Sequence, residues 1–418
     1  MKQLLDKYKT INSQKEYLKI ILANLINRFG DSIDAIAFTW LAYQLTHDAS
    51  WSALMVGVNI LPTILLQPLA GGFVERIRKQ KIMVLCDIGR GVAVSFIVVL
   101  YLFNILSPEM LLIITFLVST LEALRVPAGI AIVPKLLDKE CYDVGVSLNS
   151  SMSQVMQLVG TGCAGIIIAT TGIASAIIID ALTFFASALI IAWIKYKEEI
   201  ETVKFSVQSY LETMKEGFRY VRKRDTILLL CVLGALLNML AAPLSSLLPA
   251  FIDQVMKGDS STYSMLSICM TVGMMFGTFL YPSFSKYVTG KIAFLGSMLF
   301  SGLFYIFMVL IPTFVTSAMV MTSLMIVLFL IFGGIIAIAN TWLSIFFMTY
   351  IDEDYMARCG AVFNASVCAV VPIISFLISA LLHVISMTTI IFLTGIVSII
   401  IGFILLSLKK VRHMEDKI

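Results

Sequence analysis

The stretch Gly71-Gly72-Phe73-Val74-Glu75-Arg76-Ile77-Arg78-Lys79-Gln80-Lys81 places four basic residues and one carboxylate between two long apolar runs, 51–73 and 82–105. Each run has the roughly 20 residues needed to cross about 30 Å of hydrocarbon as helix. Short loops rich in Lys and Arg stay on the cytoplasmic side, so this loop fixes an inside. Composition agrees with a membrane location: of 418 residues 59% are hydrophobic and 13% charged, against about 25% charged in soluble domains.

Working outward, apolar runs fall near 18–44, 51–73, 82–105, 109–132, 146–170 and 173–195, then near 227–252, 262–284, 291–312, 316–340, 359–383 and 386–408. Twelve spans put both termini on one side, and the basic residues test that count. Lys2, Lys7, Lys9 and Lys15 precede the first span, Lys135 and Lys139 lie in the fourth-to-fifth loop, and Lys409, Lys410 and Arg412 follow the last. The opposite connections hold a single Lys, Lys257. A miscounted span would scramble this separation, so the reading is an all-α integral membrane protein with cytoplasmic termini. The first apolar run is too long and too charged for a signal peptide and stays in the chain. Seven cysteines include no CxxC pair, so neither a disulfide framework nor a metal site is expected, and no cofactor is implied. Nucleic-acid binding has no support in the charge pattern.

The expected organisation is an N-terminal six-helix half (1–195), a cytoplasmic linker (196–226) and a C-terminal six-helix half (227–418). In the linker Val207, Tyr210, Leu211, Met214, Phe218 and Val221 recur at helical steps, as in an amphipathic helix on the membrane face. The halves echo each other. Gln44 to Ser50 ends the first span and Gln254 to Ser260 the seventh, and the following loops close at Lys81 and Lys291, an offset of 210 each time. At that offset Arg28, Asp31 and Asp34 of the first span face Asn238, Ala241 and Leu244. The intramembrane charge therefore belongs to one half. Each such residue costs about 2.5–3.5 kcal/mol near the bilayer centre, which calls for a water-filled cavity, a pairing network or a proton path.

Several motifs resemble the major facilitator superfamily, within it the bacterial efflux branch of macrolide and siderophore exporters. They are Arg28-Phe-Gly-Asp31, the loop 71–81 with Asp87 and Arg90 after it, Arg125-Val-Pro-Ala128, Gly160-Thr-Gly-Cys-Ala-Gly165 and Asp180-Ala-Leu-Thr-Phe184. The resemblance spans essentially the whole chain. It implies two six-helix halves, alternating access and a cytoplasmic latch in the loop, with Gly71, Glu75, Arg76 and Lys79 as its residues. Glu75 stands where the family has Asp, and Arg78 where it has a second Gly. The fifth-span glycines resemble an antiporter signature lacking its Pro.

The charged residues then sort by helical face and depth. Arg28 and Asp31 are adjacent on one face, as are Asp31 and Asp34. On one reading Arg28 partly neutralises Asp31 and the coupling proton is carried by Asp31 or by the more easily protonated Asp34, with Arg28 and Glu122 taking part; on the other the Arg28–Asp31 pair only orders the bundle. Arg28 and Glu122 lie close enough in height above the inner edge to pair, and the resemblance puts their helices on one cavity. Asp180, about 10 Å from the outer edge, is expected to be structural or a secondary proton site. Asp87, Arg90 and Arg125, with Glu75, are expected to join a salt-bridge network closing the cytoplasmic side. Asn27, Asn149, Ser153, Gln157 and Asn238 are candidates for substrate contact, with Gly160 to Ala164 a packing strip.

These observations point to a secondary transporter in the cell membrane, with a small molecule, protons and lipid as partners, acting as a monomer. Proton-coupled efflux of an amphipathic, macrolide-like compound is the leading reading. Export of a siderophore or lipid-like metabolite, and uptake, stand beside it. A membrane enzyme using Asp352-Glu-Asp354 is the rival of another class, but that cluster is too tight for paired metal–diphosphate motifs.

Overall fold

A computed structural model of the chain describes residues 14–74, 77–138, 141–195, 219, 222–284, 290–350 and 356–407. The amphipathic part of the linker, Glu75, Arg76, Asp352 to Asp354 and the basic stretches at both ends lie outside the described residues. Within them twelve helices of 20 residues or more are present and no strand. They are α1 (Lys15–Thr46), α2 (Ala49–Val74), α3 (Lys79–Leu102), α4 (Pro108–Leu136), α5 (Tyr142–Thr171) and α6 (Ile173–Ala192), then α7 (Asp225–Phe251), α8 (Ser260–Phe284), α9 (Gly290–Phe314), α10 (Ala318–Tyr350), α11 (Met356–Leu381) and α12 (Met387–Ser407). A helix satisfies every backbone polar group within its own segment, which an apolar solvent demands. Eleven of the twelve are long and apolar enough to cross a membrane. The other, α1, has the length but also carries Arg28, Asp31 and Asp34.

Turn chemistry separates the helices. Ser107 caps α4 by accepting from the Met110 N–H at 3.3 Å, with Pro108 in the first turn. Gly172, at φ 88°, both ends α5 and opens α6, a conformation that suits glycine. After α1 the chain turns through His47 (φ 52°); after α7 a π-turn, Ile252–Met256, leads to Lys257 (φ 54°). These two left-handed residues stand 210 positions apart, the offset at which the two halves echo each other. Lys257, the one Lys in the connections that the sequence reading puts outside, is thus a helix-ending backbone position.

The chain divides into two compact units, 1–45 with 58–211 and 46–57 with 212–418. In the first, α3 packs on α6 and α4, and α5 on α6. A core of Ile20, Ala23, Ile82, Met83, Cys86, Ala128, Ile132, Ile191 and Ile194 joins α1, α3, α4 and the end of α6. Gln80 donates its side-chain amide to the carbonyls of Ile191 and Ile194, both at 2.8 Å, and so closes the exposed end of α6. In the second unit α9 packs on α12, α8 on α10 and α7 on α11. The pairing of third with sixth helix therefore recurs as ninth with twelfth. Phe304 stacks on Phe332 at 4.0 Å, and the Tyr305 hydroxyl donates to the Leu240 carbonyl. The Gly273-to-Gly277 spacing lets α8 meet the backbone of α10 at Leu330 and Gly334 with no room for a Cβ.

Candidate functional site

The only charges deep in the described helices converge in the first unit, and they are layered. At the base, the Arg125 Nε meets the Asp87 Oδ1 at 2.5 Å; neither is more than 9% exposed at the side chain. Ser187 of α6 donates to the other Asp87 oxygen at 2.7 Å, and the Asn27 amide donates to Oδ1 at 3.1 Å. Asn27 also accepts from the Arg90 Nη1 at 3.1 Å, so one amide links the two ion-paired layers. Asn24, one turn earlier on α1, accepts from Arg125 at 3.4 Å and donates to Asn149 of α5 at 3.3 Å.

Above this, the Arg90 guanidinium lies 2.6 Å from Asp31 and 3.8 Å from Glu122 and sits 4.0 Å over the Phe184 ring. Its side chain is 2% exposed, against 19% for Asp31 and 34% for Glu122. Planar Arg suits this place: one edge reaches carboxylate and amide together while the face stacks on an aromatic ring. Farther along α1, Asp34 is buried within electrostatic reach of Asp180, Asp31, Arg90 and Glu122.

A cavity of about 530 Å³ opens onto the network, in the size range of small-molecule sites. Its polar wall is Asn24, Asn27, Arg28, Asp31, Arg90, Glu122, Arg125, Asn149, Ser150 and Ser153; Ile20, Val126, Ile130, Val133 and Val146 give it an apolar side. That mixture can take a molecule with one apolar face and a few polar groups. No group of three or more His, Cys, Asp or Glu among the described residues is placed to hold a metal ion.

The structure corrects several expectations. Asp31 pairs with Arg90, not with Arg28, and Glu122 pairs with Arg90 as well. Arg28 is an exposed residue lining the cavity, and its guanidinium has no hydrogen bond or ion pair among the described residues. The cause is burial: the enclosed Arg90 needs a carboxylate far more than a solvated Arg28 does. Asp87 and Arg125 do pair, and Asn27 links them to Arg90, but this network stands within the helices and not at their ends. Arg90 stands eleven residues into α3, about 16 Å along its axis, inside the same cluster as Asp31. Lys79 opens α3 and Gly71 lies near the end of α2, away from that cluster. Gln157 is exposed on α5 and does not line the cavity, whereas Asn149 and Ser153 on the same helix do. Gly160 instead gives α1 close approach, a Cβ there falling 2.7 Å from the Phe29 carbonyl oxygen. Asn238, half-buried on α7, belongs to the second unit.

Sequence reasoning missed Asn24 and Ser187. Asn24 could have been found, since it lies three and four residues before Asn27 and Arg28 on one helical face. Ser187 had a weaker signal, seven residues and hence two turns after Asp180.

Twelve helices of membrane-spanning length, eleven of them apolar enough to cross, and a charged, partly apolar cavity lined by one of the units are the features of a membrane transporter. The chain matches the transmembrane secretion effector family of major facilitator transporters over residues 12–417, and it belongs to that family. Among its relatives, macrolide efflux protein A of Streptococcus pyogenes is 22% identical over 317 residues, covering 73% of this chain and 78% of that protein. The staphyloferrin A transporter of Staphylococcus aureus is 21% identical, with 62% of this chain and 65% of that protein covered. An uncharacterized MFS-type transporter of Bacillus subtilis is 24% identical over 57% of this chain, a match that spans 58% of the relative's length. A mutant of the nucleoside transporter NupG superposes with a TM-score of 0.75 at 11% identity, covering 94% of this chain and 99% of that one. A bacterial homologue of the iron transporter ferroportin gives 0.71 at 13% identity, covering 94% and 99%. These structures establish the fold, and the family makes the chain a transporter and not an enzyme.

Proposed function

We propose that the chain is a proton-coupled exporter of an amphipathic small molecule of the macrolide type, working by alternating access as a monomer in the cell membrane with both termini cytoplasmic. One observation carries the coupling: Arg90 is shared between Asp31 and Glu122 at the wall of the cavity. Protonating either carboxyl leaves the guanidinium to the other, so proton arrival rearranges the polar wall that a ligand meets. Asp34, enclosed one helical turn farther along α1, extends the path away from the cavity. The half-apolar lining suits an amphipathic substrate, and the macrolide efflux relatives support that class. In this reading the drive is the proton gradient, about 2.3 kcal/mol per charge per 100 mV.

The test is pH-driven efflux in everted vesicles with Asp31→Asn and Asp34→Asn single variants. Each is expected to lose gradient-driven transport while keeping substrate binding. If both retain it, the coupling assignment fails.

A second reading follows from Arg28, a cavity-lining cation without an ion-pair partner among the described residues. It favours a substrate bearing a carboxylate, as a siderophore-type exporter would require. Arg28→Gln separates the two: it should weaken export of carboxylate-bearing compounds and leave that of macrolides unchanged.

A further inference from the structure

Asp180 of α6 is fully enclosed, and neither of its carboxylate oxygens has a hydrogen-bond partner among the described residues. It is wedged against α1 at Gly30, where a Cβ would stand 2.6 Å from its Oδ1, so its own neighbour supplies neither a donor nor space for water. The Thr183 hydroxyl, beside it on the same helix, is spent on the Asp180 backbone carbonyl at 2.7 Å. The charged groups within electrostatic reach are Asp31 on α1, Arg90 on α3 and Glu122 on α4, and Asp34 on α1 feels Asp180 in turn. Arg90 is already taken by Asp31 and Glu122.

A charge count of the cluster identifies the missing partner. Its carboxyl groups are Asp31, Asp34, Asp87, Glu122 and Asp180; its guanidiniums are Arg28, Arg90 and Arg125. Five acids against three cations leave two negative charges in excess within an apolar bundle, where uncompensated charge is strongly disfavoured. Among the described residues Asp31, Asp87 and Glu122 have the ion pairs, while Asp34 and Asp180 have none.

We propose that Asp180 is a proton-binding site of the first unit, and that the conformation described here holds one proton on Asp180 and one on Asp34. Three carboxylates then balance three guanidiniums. Released from Asp180, the proton passes to the carboxylate of Asp31 once Arg90 leaves it, or to water admitted between α1 and α6. Asp180 itself becomes a carboxylate that competes for Arg90. Its role in transport rests on the proton-coupled reading above; its protonation does not.

Infrared spectroscopy of the full chain in lipid at neutral pH separates these levels. The wild type is expected to show a protonated-carboxyl C=O band, and Asp34→Asn and Asp180→Asn should each remove roughly half of it. Asp259→Asn, at the surface, should leave it intact. Labelling aspartate carboxyls with carbon-13 in the wild type should shift the whole band, a result that needs no variant to fold. Absence of the band, an unshifted band that belongs to glutamate, or a full band in Asp180→Asn overturns the proposal. In proteoliposomes with a radiolabelled macrolide, Asp180→Asn should cut pH-driven uptake at least about tenfold while sparing substrate counterflow. Drive by sodium in place of protons would overturn the site's assignment to protons. If the wild type moves no macrolide, the substrate reading fails and the infrared result stands by itself.

Discussion

Arg90 shows how a residue's neighbours decide its work. In sequence it reads as part of a basic loop and its aftermath; in the fold its edge meets Asn27 and Asp31 of α1 and its face lies over Phe184 of α6. The identities of the ionisable residues were legible, because charge inside an apolar run cannot be missed. Their pairing was not, because helical periodicity orders residues along one helix and says nothing about which side of α3 meets α1. The Asp87–Arg125 pair beneath gives a direct energetic prediction. Asp87→Leu leaves Arg125 buried without a counter-ion and should destabilise the first unit by about 3–5 kcal/mol, whereas Asp87→Leu with Arg125→Leu should recover most of the loss. Thermal unfolding of the four members of this cycle in detergent measures it. Gly30→Ala forces a methyl group toward the Thr183 hydroxyl and the Asp180 carboxyl, and overpacking of that kind costs about 1–3 kcal/mol by the same assay.

At the scale of the helix, ends are held by ordinary local chemistry, and it has measurable consequences. Asp259 precedes α8 and accepts from Ser261 Oγ at 2.6 Å and from the Thr262 N–H at 3.1 Å. The Ser261 hydroxyl, with Thr262, holds its carboxyl below the ordinary Asp value against a smaller opposing effect of burial. A depressed carboxyl stabilises fully above its unfolded value, near 3.9, and the contribution disappears as pH falls through the lower folded value. Asp259→Ala should therefore cost about 1 kcal/mol at neutral pH and progressively less below pH ~4, read from melting temperature against pH. His47 and Lys257 hold left-handed backbone without glycine's freedom. His47→Gly and Lys257→Gly should each be neutral or stabilising by up to ~1 kcal/mol, while Pro at either place should unfold its turn. Helix positions were readable from apolar runs of membrane length. What escaped was how far along α5 the cavity reaches: Asn149 and Ser153 line it and Gln157, one turn farther on, does not, a limit that no hydrophobic pattern records.

For the whole molecule, the family and the fold make a transporter, and the distribution of basic residues predicts its orientation. Reporter fusions that fluoresce only in the cytoplasm should be bright when joined at either terminus and dark when inserted at the connection holding Lys257. The reverse pattern would refute cytoplasmic termini. Membrane architecture was legible because an apolar solvent permits so few backbone solutions. The complete wall of the cavity was not, since it comes from α1, α3, α4 and α5, of which the resemblance puts only α1 and α4 together.

The two left-handed turns also bear on how the chain came to be. His47 and Lys257 share nothing as side chains, yet they bend the backbone alike at φ 52° and 54°, 210 residues apart. Had the halves arisen by duplication of one ancestral unit, this is the kind of trace expected to outlast the side chains, since a turn tolerates almost any residue once its geometry is fixed. The asymmetry of charge then dates from after that event: one copy kept or acquired its ionisable residues, and the other was free to explore purely apolar surfaces. Ancestry in such a chain is better sought in its dihedral angles than in its letters.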